Sequence, residues 1–437
     1  MMTYPEAIDF LLHKTVSFEM MGADGYKPGL ERVYPLLARF DNPQKGLQMV
    51  HVAGTNGKGT TASLIASILM AAGYKVGLFT SPHLIDFRER IRVNGVMIPE
   101  QKVTAFVEKV EPMVRSREIA PSFFELTTVM AFEHFRDEAV DYAIIEVGMG
   151  GRLDSTNVIT PLVSVITNVS LDHTQYLGDT LAKIAKEKAG IIKPGVPVVL
   201  GNSRSSDVTN VIRETAFRQG ADLILADRTQ EIMMHFLQNS IFRLSTVHFG
   251  NLTLPIMGAH QIENAATVLQ VILLLIQKGA LISPEAVRDG FLSVVGQGLR
   301  GRLEVIRDKD PRVVVDAGHN PGSWAYLSSY IRDVQKDRCI VCILGFSGDK
   351  DIDDILDLLP RDLPIIFTNA DTPRAMKAKQ LVTLARRLGF TKVSEQPDIA
   401  SSYLYALNLR QEGRELTIFI GGSFYLVGEF LKVKNRL

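Results

Sequence analysis

The sequence predicts an α/β fold: a larger N-terminal domain built on a mostly parallel sheet, followed by a smaller C-terminal α/β domain. Short apolar runs alternate with helix-period segments along nearly all of the 437 residues, which is the pattern of a parallel sheet joined by helices. The runs are continuously apolar, as expected for strands covered by helices on both faces. The chain also exceeds the size of a single hydrophobic core, so two or three domains are expected.

Five apolar runs are the predicted strands of the N-terminal domain. They are 47–53, 75–80, 142–147, 162–167 and 196–200. A helix is expected over 60–72, because apolar residues recur there at helical spacing on one face. These residues are Leu64, Ile65, Ile68 and Leu69. Gly73 is a typical residue to end a helix. Asn94 and Gly95 stand between two apolar runs and predict a β-hairpin over 91–98.

A second antiparallel patch is expected over 241–256, with a tight turn at 249–251, and a buried helix over 259–277. Glycine becomes frequent at 296–301 and new strand and helix patterns begin after it, so a linker is predicted there. The domains are accordingly predicted as 1–297 and 298–437. The strands expected in the second domain are 312–316, 339–345, 365–369 and 416–420.

The charge balance excludes some classes of function. The chain has 48 Lys and Arg against 48 Asp and Glu, a formal net charge of zero, whereas proteins that coat nucleic acids or anionic membranes carry a basic excess. The start shows no secretory signal, and the most apolar run, 271–276, is far shorter than the roughly 18 residues of a membrane span. The sequence therefore predicts a cytoplasmic globular protein that binds neither nucleic acid nor membrane.

The two cysteines, Cys339 and Cys342, lie three residues apart within the predicted strand 339–345. No second pair and no histidine cluster accompanies them, which disfavours a zinc site. Side chains three apart on a strand point to opposite faces. We therefore expect two inert core cysteines; the alternative is a redox or metal-binding pair.

A glycine-rich segment, Gly54-Thr55-Asn56-Gly57-Lys58-Gly59-Thr60, lies between the first predicted strand and the following helix. Glycines let backbone N–H groups approach phosphate oxygens, a helix N-terminus favours an anion, and a lysine neutralises the outer phosphates. The segment departs from the general phosphate-loop pattern, because Val52 replaces a glycine and Gly59 precedes the hydroxyl residue. Its place between strand and helix still predicts a phosphate loop; the alternative is a glycine-rich turn with an exposed lysine.

Candidate metal ligands follow the neighbouring strands: Ser81, Glu146 and the pair Asp172-His173. Ligands bind at the carboxyl ends of strands in open α/β sheets, so the fold would bring these residues near the phosphate loop. A Mg²⁺ ion that bridges phosphates needs such oxygen ligands. Each residue also has a structural alternative, with Ser81 as a cap, Glu146 as a partner of Arg152 and His173 as a surface histidine.

Together these segments resemble the folylpolyglutamate synthase/dihydrofolate synthase family of ATP-dependent Mur-type ligases. The phosphate loop is joined by further family segments, in the family's order, along nearly the whole chain. They are Ser81-Pro-His-Leu84, Glu146-Val-Gly-Met-Gly-Gly-Arg-Leu-Asp154-Ser-Thr-Asn157, Leu171-Asp-His173, Lys186-Glu-Lys-Ala-Gly-Ile191, Glu263-Asn-Ala265, Gly301-Arg-Leu-Glu304, Asp316-Ala-Gly-His-Asn-Pro321 and Gly422-Ser-Phe-Tyr-Leu426. The resemblance implies a P-loop NTPase-like N-terminal domain and a Rossmann-like C-terminal glutamate ligase domain.

The resemblance also implies how ATP and metal are held. The phosphate loop, with Lys58, would hold the ATP phosphates, and Asn264, Arg302 and Asp316 would contact the nucleotide. Ser81, Glu146 and His173 would bind Mg²⁺. Lys188 falls where the family carries a lysine that carbon dioxide converts to a carbamate, an anion that would hold a second Mg²⁺. Such a lysine must be neutral when it reacts, so a lowered pKa is expected.

The contacts to the other substrates follow from the same resemblance. His319 and Ser423 would position the incoming L-glutamate, although Asp316 or His319 has the alternative of capping the next helix. The folate or dihydropteroate acceptor would contact an aromatic segment, an early loop and Arg152. The residues of these segments are Ser122, Phe123, Phe124 and Glu125, and Lys27, Pro28, Gly29 and Leu30. Both phenylalanines have a core alternative, and Lys27 and Pro28 depart from the residues of some bifunctional members.

The implied reaction is ATP-dependent amide formation by a monomer. A folate or dihydropteroate carboxylate attacks the γ-phosphate to give an acyl phosphate, which the glutamate amine then attacks. Lys58, Lys188 and His319 are the predicted catalytic residues. One alternative is a Mur-type ligase acting on a nucleotide-linked muramoyl acid, which usually has a separate domain before the phosphate loop. The other is a P-loop ATPase without ligation, which would leave the second domain unexplained.

Overall fold

The computed structural model describes residues 2–21, 25, 27–116, 118–203, 205–227, 231–238 and 241–436. By its internal contacts the chain forms two units. The first contains Met1–Pro255 and His260–Leu299, and the second contains Ile256–Ala259 and Arg300–Leu437. The chain leaves the first unit within the predicted linker. The assignment of Ile256–Ala259 to the second unit is a feature that the sequence did not indicate.

A parallel sheet forms the centre of the first unit. Its strands among the described residues are β1 (Met49–Ala53), β2 (Val76–Phe79), β3 (Ile91–Val93), β4 (Val96–Met97), β5 (Tyr142–Glu146), β6 (Val163–Ile166), β7 (Val198–Leu200) and β8 (Leu223–Leu225). Their order is β4-β3-β2-β5-β1-β6-β7-β8. All neighbours pair in parallel except in the β2–β3 and β3–β4 pairs, where the predicted hairpin adds an antiparallel edge. The five predicted strands are confirmed.

Helices cover this sheet and connect its strands. Among the described residues they are α1 (Tyr4–His13), α2 (Phe18–Met21), α3 (Val33–Arg39), α4 (Lys58–Ala71), α5 (Glu100–Arg115), α6 (Phe123–Asp137), α7 (Thr174–Leu177), α8 (Leu181–Ala189), α9 (Ser206–Arg218), α10 (His260–Gln277) and α11 (Pro284–Ser293). Short 3-10 turns occupy Phe87–Arg90 and Ser155–Val158. None of the helices within the described ranges is long and apolar enough to cross a membrane.

Helix α4 is buried over most of its surface, more widely than the single apolar face that was predicted. Helix α11 crosses it closely: a Cβ added to Gly290 would lie 2.5 Å from the Ile68 Cα. At the same crossing, Ser67 Oγ donates a hydrogen bond to the Gly290 carbonyl at 2.6 Å. Such close packing fixes the position of α4 and therefore of the loop that precedes it. Gly73 follows the helix with φ +91°, as predicted for its C-terminal end.

A small antiparallel sheet also belongs to the first unit. It consists of β9 (Ile232–Gln238), β10 (Ile241–Thr246) and β11 (Gly250–Leu254), with β10 in the middle. Strands β10 and β11 form the predicted antiparallel patch, but their turn lies at 247–249, slightly before the predicted position. Strand β9 was not predicted.

The second unit is a mostly parallel sheet with helices. Its described strands are β12 (Glu304–Arg307), β13 (Arg312–Asp316), β14 (Cys339–Leu344), β15 (Ile365–Phe367), β16 (Val393–Glu395) and β17 (Leu416–Gly421), in the order β12-β13-β17-β14-β15-β16. Only β12 is antiparallel to its neighbour. The helices are α12 (Pro321–Asp337), α13 (Ile352–Asp357), α14 (Ala378–Arg387), α15 (Ile399–Leu407) and α16 (Phe424–Val433), followed by a 3-10 turn, Lys434–Arg436. The four predicted strands are confirmed.

The two cysteines lie at the start and in the middle of β14, and both are free and buried. Burial raises the pKa of the Cys342 thiol, which keeps it in the unreactive protonated form. The interpretation of these residues as core cysteines is confirmed.

Candidate active site

The segment between β1 and α4 has a backbone that requires glycine at two positions. Gly54 and Gly57 have φ of +151° and +80°, and Gly57 is the N-cap of α4. A Cβ added to Gly54 would lie 1.8 Å from Thr167 Oγ1, and one added to Gly57 would lie 2.3 Å from Asn264 Oδ1. These contacts add to the conformational need for glycine. An ordinary glycine-rich turn would not be enclosed in this way.

The segment that follows β6 holds the loop in place. Thr55 N donates to the Asn168 carbonyl at 3.0 Å, and Asn56 N donates to Asn168 Oδ1 at 3.0 Å. Thr167 Oγ1 donates to the Asn56 carbonyl at 2.6 Å, and Ser170 N donates to Thr55 Oγ1 at 3.1 Å. Sequence reasoning missed Thr167, Asn168 and Ser170. Their position directly after a predicted parallel strand was the available signal.

The first turn of α4 carries the groups of a phosphate site. The first N–H groups of a helix have no partner within it and favour an anion, and Gly57 has no side chain to cap them. Lys58 Nζ donates to the Thr55 carbonyl at 3.1 Å, so the ammonium group lies at the loop. The hydroxyl oxygens of Thr60 and Thr61 are buried and have no hydrogen-bond partner among the described residues. Unpaired buried hydroxyls beside a helix N-terminus indicate a ligand site.

Lys188 on α8 is almost completely buried, whereas Lys186 is exposed. The Lys188 Nζ donates to the Gly54 carbonyl at 2.9 Å. Burial lowers the pKa of Lys188 to about 7, and the charge of Lys58 acts in the same direction. A large fraction of this amine is therefore neutral at physiological pH.

Glu146 ends β5 and is buried, and its Oε2 accepts a hydrogen bond from Ser81 N at 2.9 Å. Strand β5 lies between β2 and β1, so Ser81, Glu146 and the phosphate loop share the carboxyl edge of the sheet. His173 follows β6, on the other side of β1, and its Nε2 lies 3.9 Å from Asp172 Oδ1. The predicted metal ligands thus come to one edge, with Ser81 and Glu146 in direct contact.

A buried chain of hydrogen bonds begins at His51 in β1. His51 Nε2 lies 2.8 Å from Thr156 Oγ1, which donates its proton to Asp154 Oδ1 at 2.5 Å. Because the hydroxyl has only one proton, Thr156 accepts from His51, which fixes the histidine proton on Nε2. Burial lowers the pKa of His51 to about 3, so the ring is neutral. Sequence reasoning passed over His51, although a histidine within an apolar strand is an available signal.

Asp154 receives further donors from the backbone. Met149 N donates to its Oδ2 at 2.9 Å and Thr156 N to its Oδ1 at 3.0 Å. Burial raises the pKa of Asp154, and these hydrogen bonds oppose the rise. The side chain has only donors around it in this network, so the arrangement suits the ionised carboxylate.

Two of the predicted acceptor contacts, Ser122 and Glu125, form the capping box of α6. Glu125 N donates to Ser122 Oγ at 3.2 Å, and Ser122 N donates to Glu125 Oε2 at 2.6 Å. Burial raises the pKa of Glu125, and the nearby Arg32, whose Nε lies 3.1 Å from Glu125 Oε1, opposes that rise. Both side chains therefore have a structural role that the sequence analysis did not assign.

The two phenylalanines of this segment differ in their surroundings. Phe123 is 2% exposed, and its ring lies 5.9 Å from that of Phe87 and 5.1 Å from the Arg90 guanidinium. This burial favours the core alternative for Phe123. Phe124 is half-buried and covers Gly148, where an added Cβ would lie 2.5 Å from the Phe124 Cζ. Phe124 is thus the less buried of the two rings.

The early loop reaches the segment that contains Asp154. Gly29 N donates to the Leu153 carbonyl at 3.3 Å, whereas Lys27 and Pro28 are exposed and Leu30 is packed against the core. Arg152 is half-exposed and pairs with Glu187 at 2.9 Å. The alternative that paired Arg152 with Glu146 is therefore replaced by a different ion pair.

In the second unit, Asp316 ends β13 beside the end of β17. Its two carboxylate oxygens accept hydrogen bonds from Leu303 N at 2.8 Å and Gly318 N at 2.7 Å. Burial raises its pKa, and the charge of Arg302 opposes the rise. Asn320 is the N-cap of α12, so the alternative that Asp316 or His319 caps this helix is wrong.

Arg302, His319 and Phe424 form a cluster near the loop that follows Asp316. The Arg302 guanidinium lies 5.1 Å from the centre of the Phe424 ring, and the His319 ring lies 5.8 Å from the same ring. His319 Nδ1 lies 3.1 Å from the Ala317 carbonyl, which favours a proton on that nitrogen. Ser423 is the N-cap of α16 and accepts from Leu426 N at 3.2 Å. Sequence reasoning missed Phe424, whose ring lies near both Arg302 and His319.

Comparisons with known proteins identify the class. Residues 52–272 match the Mur ligase middle domain, and residues 301–424 match the Mur ligase, glutamate ligase domain. The chain is 35% identical over 422 residues to the dihydrofolate synthase/folylpolyglutamate synthase of Bacillus subtilis. The aligned region covers 93% of this chain and 95% of that protein.

Solved structures agree with these matches. Mycobacterium tuberculosis folylpolyglutamate synthase complexed with ADP has a TM-score of 0.85 and 32% identity, covering 92% of this chain and 94% of that chain. Escherichia coli FolC in complex with DHPP and ADP has a TM-score of 0.82 and 30% identity, covering 100% and 98%. Fold and phosphate loop together define an ATP-dependent ligase of the Mur type. Within that class the chain belongs to the folylpolyglutamate synthase/dihydrofolate synthase family, which confirms the predicted resemblance and fold class.

Proposed function

We propose that the chain joins L-glutamate through an amide bond to a folate-type carboxylate, that of a folate or of dihydropteroate, with ATP as co-substrate. The observation that carries this proposal is the enclosed phosphate loop, where Lys58 and the buried Lys188 meet at the N-terminus of α4. The names of the relatives and the match to a glutamate ligase domain support the same reaction. A P-loop ATPase without ligation would not need that second domain.

The first step is attack of the acceptor carboxylate on the γ-phosphate, which forms an acyl phosphate and releases ADP. The N–H groups at the start of α4 and the Lys58 ammonium group stabilise the charge on the phosphates. Lys58 Nζ exchanges its bond to the Thr55 carbonyl for bonds to phosphate oxygens. Asn264, Arg302 and Asp316 are the proposed further contacts to the nucleotide.

The residues around the loop suit Mg²⁺. Glu146 supplies a buried carboxylate, Ser81 and Thr60 supply hydroxyls, and His173 supplies an imidazole nitrogen. The described residues contain no cluster of three His, Cys, Asp or Glu that would hold a metal alone. This composition fits Mg²⁺, which takes few protein ligands and completes its shell with phosphates and water. A bound Mg²⁺ would neutralise charge on the transferred phosphate.

Lys188 is proposed to carry a carbamate and to hold a second Mg²⁺. Its burial and its pKa of about 7 support this role, because carbon dioxide reacts only with the neutral amine. Native mass spectrometry of active, bicarbonate-equilibrated protein should show the added mass of one carbon dioxide. Lys188→Ala should lose that addition, and Lys186→Ala should retain it. An active sample with unmodified Lys188 would contradict the carbamate.

In the second step the glutamate amine attacks the acyl phosphate, and the tetrahedral intermediate expels phosphate. His319 and Ser423 are proposed to position the glutamate. The acceptor is proposed to lie against Phe124 and the loop of Lys27, Pro28, Gly29 and Leu30, near Arg152. Since one chain supplies all these groups, we propose a monomer that acts in the cytoplasm.

The test is to measure phosphate release and product mass with L-glutamate plus dihydropteroate or tetrahydrofolate in parallel. Phosphate release should require both glutamate and an acceptor, and the product should be heavier than the acceptor by one glutamyl residue. Activity with both acceptors would establish a bifunctional enzyme. Phosphate release without amide product, or no release with either acceptor, would refute the proposed function.

A further inference from the structure

A second concentration of positive charge lies in the second unit, at the amino edge of its sheet. A cavity of about 490 Å³ opens there between the start of β14 and the C-terminal half of α12. Small-molecule sites commonly have volumes of about 300 to 1,000 Å³. The charged side chains that line the cavity are Arg332, Lys336, Arg338, Lys392, Arg414 and Asp362.

This cavity is separate from the cluster around Asp316. Arg338 immediately precedes β14, whereas Asp316 and Gly421 end the parallel strands β13 and β17 at the opposite edge. A six-residue strand rises about 3.3 Å per residue, which separates the two edges by roughly 17 to 20 Å. The cavity therefore cannot serve the glutamate-positioning residues directly.

The positive charge of the cavity is only partly neutralised. Lys336 pairs with Asp333 at 2.7 Å, where both side chains are 71% exposed, and Arg338 pairs with Glu415. Within the part of the chain that the structure describes, Arg332, Lys392 and Arg414 have no carboxylate within 4.0 Å. Asp362 is the one acid in the lining. A net cationic surface inside a concave site attracts anions more strongly than scattered surface charges do.

Two of the three unpaired cations are held in place by neutral backbone groups. Arg414 Nη2 donates to the carbonyls of Gln335 at 2.9 Å and Lys336 at 3.2 Å, in the last turns of α12. Arg332 Nη2 donates to the Leu358 carbonyl at 2.8 Å. These bonds orient the guanidinium groups at helix C-termini, whose partial negative charge offsets theirs only in part, and they leave other N–H groups for a ligand. Oriented guanidinium groups suit the paired oxygens of phosphates and carboxylates.

We propose that this cavity binds a small polyanion that carries two or more phosphate or carboxylate groups. Two or more anionic groups match several cations spread around one concavity. The chain as a whole has no net charge, so attraction to such a ligand is local to the site. The proposal does not depend on the reaction proposed above.

The test uses hydrogen–deuterium exchange of the full chain at low salt, with tripolyphosphate and, separately, with citrate. Either anion should slow exchange in 332–340 and 411–416, and added salt should reverse the effect. Arg332→Glu/Lys392→Glu should raise the anion concentration required by about tenfold or more, since charge-assisted hydrogen bonds are lost and repulsion is introduced. The phosphate loop of the same sample provides an internal reference for tripolyphosphate binding.

Lys379→Glu/Arg386→Glu is the matched control, because it makes the same charge change at exposed positions of the second unit outside the cavity. It should leave the protection of 332–340 and 411–416 unchanged. Arg414→Gln is a second variant, which retains an amide donor for the α12 carbonyls. Protection by tripolyphosphate alone would assign a phosphate ligand, and protection by citrate alone a carboxylate ligand. If neither anion protects these segments, or if the cavity variants respond like the wild type, the proposal is overturned.

Discussion

The carboxyl edges of the two parallel sheets are built in different ways. In the first unit the backbone itself forms the site: two glycines enclosed by neighbouring side chains lead into α4, with Lys58 and Lys188 beside them. In the second unit the site consists of side chains: Arg302 and His319 both lie near the Phe424 ring. The backbone only holds the buried Asp316 in place, through two N–H groups. The first arrangement suits phosphates, which backbone donors bind well, and the second holds the residues that we propose to position the glutamate.

The largest effect is expected for Lys58→Ala, which removes the cation of the backbone-built site. The rate of acyl-phosphate formation should fall by about a thousandfold, as when a group that stabilises transition-state charge is lost. Quench-flow measurement of ADP in a single turnover tests this. Lys45→Ala, an exposed lysine before β1, should behave like the wild type. Near-normal turnover of Lys58→Ala would remove the lysine from the proposed mechanism.

His319→Ala should separate the role of the carboxyl edge of the second sheet from that of the first. Because His319 is proposed to position glutamate, the KM for glutamate should rise by about tenfold to a hundredfold, with little change in the first-turnover formation of ADP. Steady-state kinetics at varied glutamate measure the first quantity, and the single-turnover assay measures the second. His248→Ala, a half-exposed histidine in the first unit, is the control. If glutamate affinity and the first-turnover formation of ADP fell equally, His319 would not act only on the glutamate amine.

Thr156→Val tests the buried chain of hydrogen bonds that joins His51, Thr156 and Asp154 in the first unit. The substitution leaves His51 Nε2 without a partner and removes one of the two hydrogen bonds to Asp154 Oδ1, since the backbone N–H of residue 156 remains. The free energy of unfolding should therefore fall by about 1 to 3 kcal/mol. Denaturant unfolding measures this change. Thr368→Val is the matched control, since Thr368 Oγ1 is buried and has no partner among the described residues. That variant should be neutral or stabilised, and an equal loss in both variants would contradict the role of the hydrogen bonds.

The last effect is expected in the pH dependence of stability, and it is small near neutral pH. The pKa of His51 is about 3 in the folded chain and 6.5 ordinarily, so between these values the unfolded chain binds a proton that the folded chain does not. The stability contributed by the neutral ring is complete above pH 6.5 and is lost as the pH falls toward 3. In His51→Gln, the free energy of unfolding should therefore decrease less steeply over this range. An unchanged slope in His51→Gln would refute the assignment.

Most of the described strands and the phosphate loop were predictable from the sequence, because each depends on a local pattern; strands β8, β9, β12 and β16 were not predicted. An apolar run such as 142–147 indicates a buried strand by itself, and Asn94-Gly95 specifies a tight turn by its own conformational preferences. Strand β9 escaped prediction because both of its faces carry exposed apolar side chains, such as Met233, Met234 and Phe236. A strand of this kind does not alternate apolar and polar residues as a half-buried strand does, and it is not flanked by helices as a covered parallel strand is.

The candidate site was predictable at its glycines and charged residues but not at their partners. Only the family resemblance distinguishes Lys188 from Lys186 in the sequence, and the physical difference appears in the structure, where Lys188 is buried against the Gly54 carbonyl and Lys186 is exposed. Phe123 and Phe124 are adjacent and identical in type, and only packing separates a core ring from a ring beside Gly148. Burial is a property of the surrounding elements, so residue type alone cannot assign it.

By itself, the sequence determined the alternation of strands and helices, the place of the phosphate loop and the family to which the chain belongs. Apolar periodicity and the conformational freedom of glycine act over a few residues, which makes them legible without a structure. The tertiary structure alone decided which side chains enclose the loop, which of two adjacent phenylalanines is buried, and where cations without a carboxylate partner gather among the described residues at the amino edge of the second sheet. These properties arise from residues far apart in the sequence, as with Asn56 and Asn168, and the energies of burial and charge depend on such neighbours.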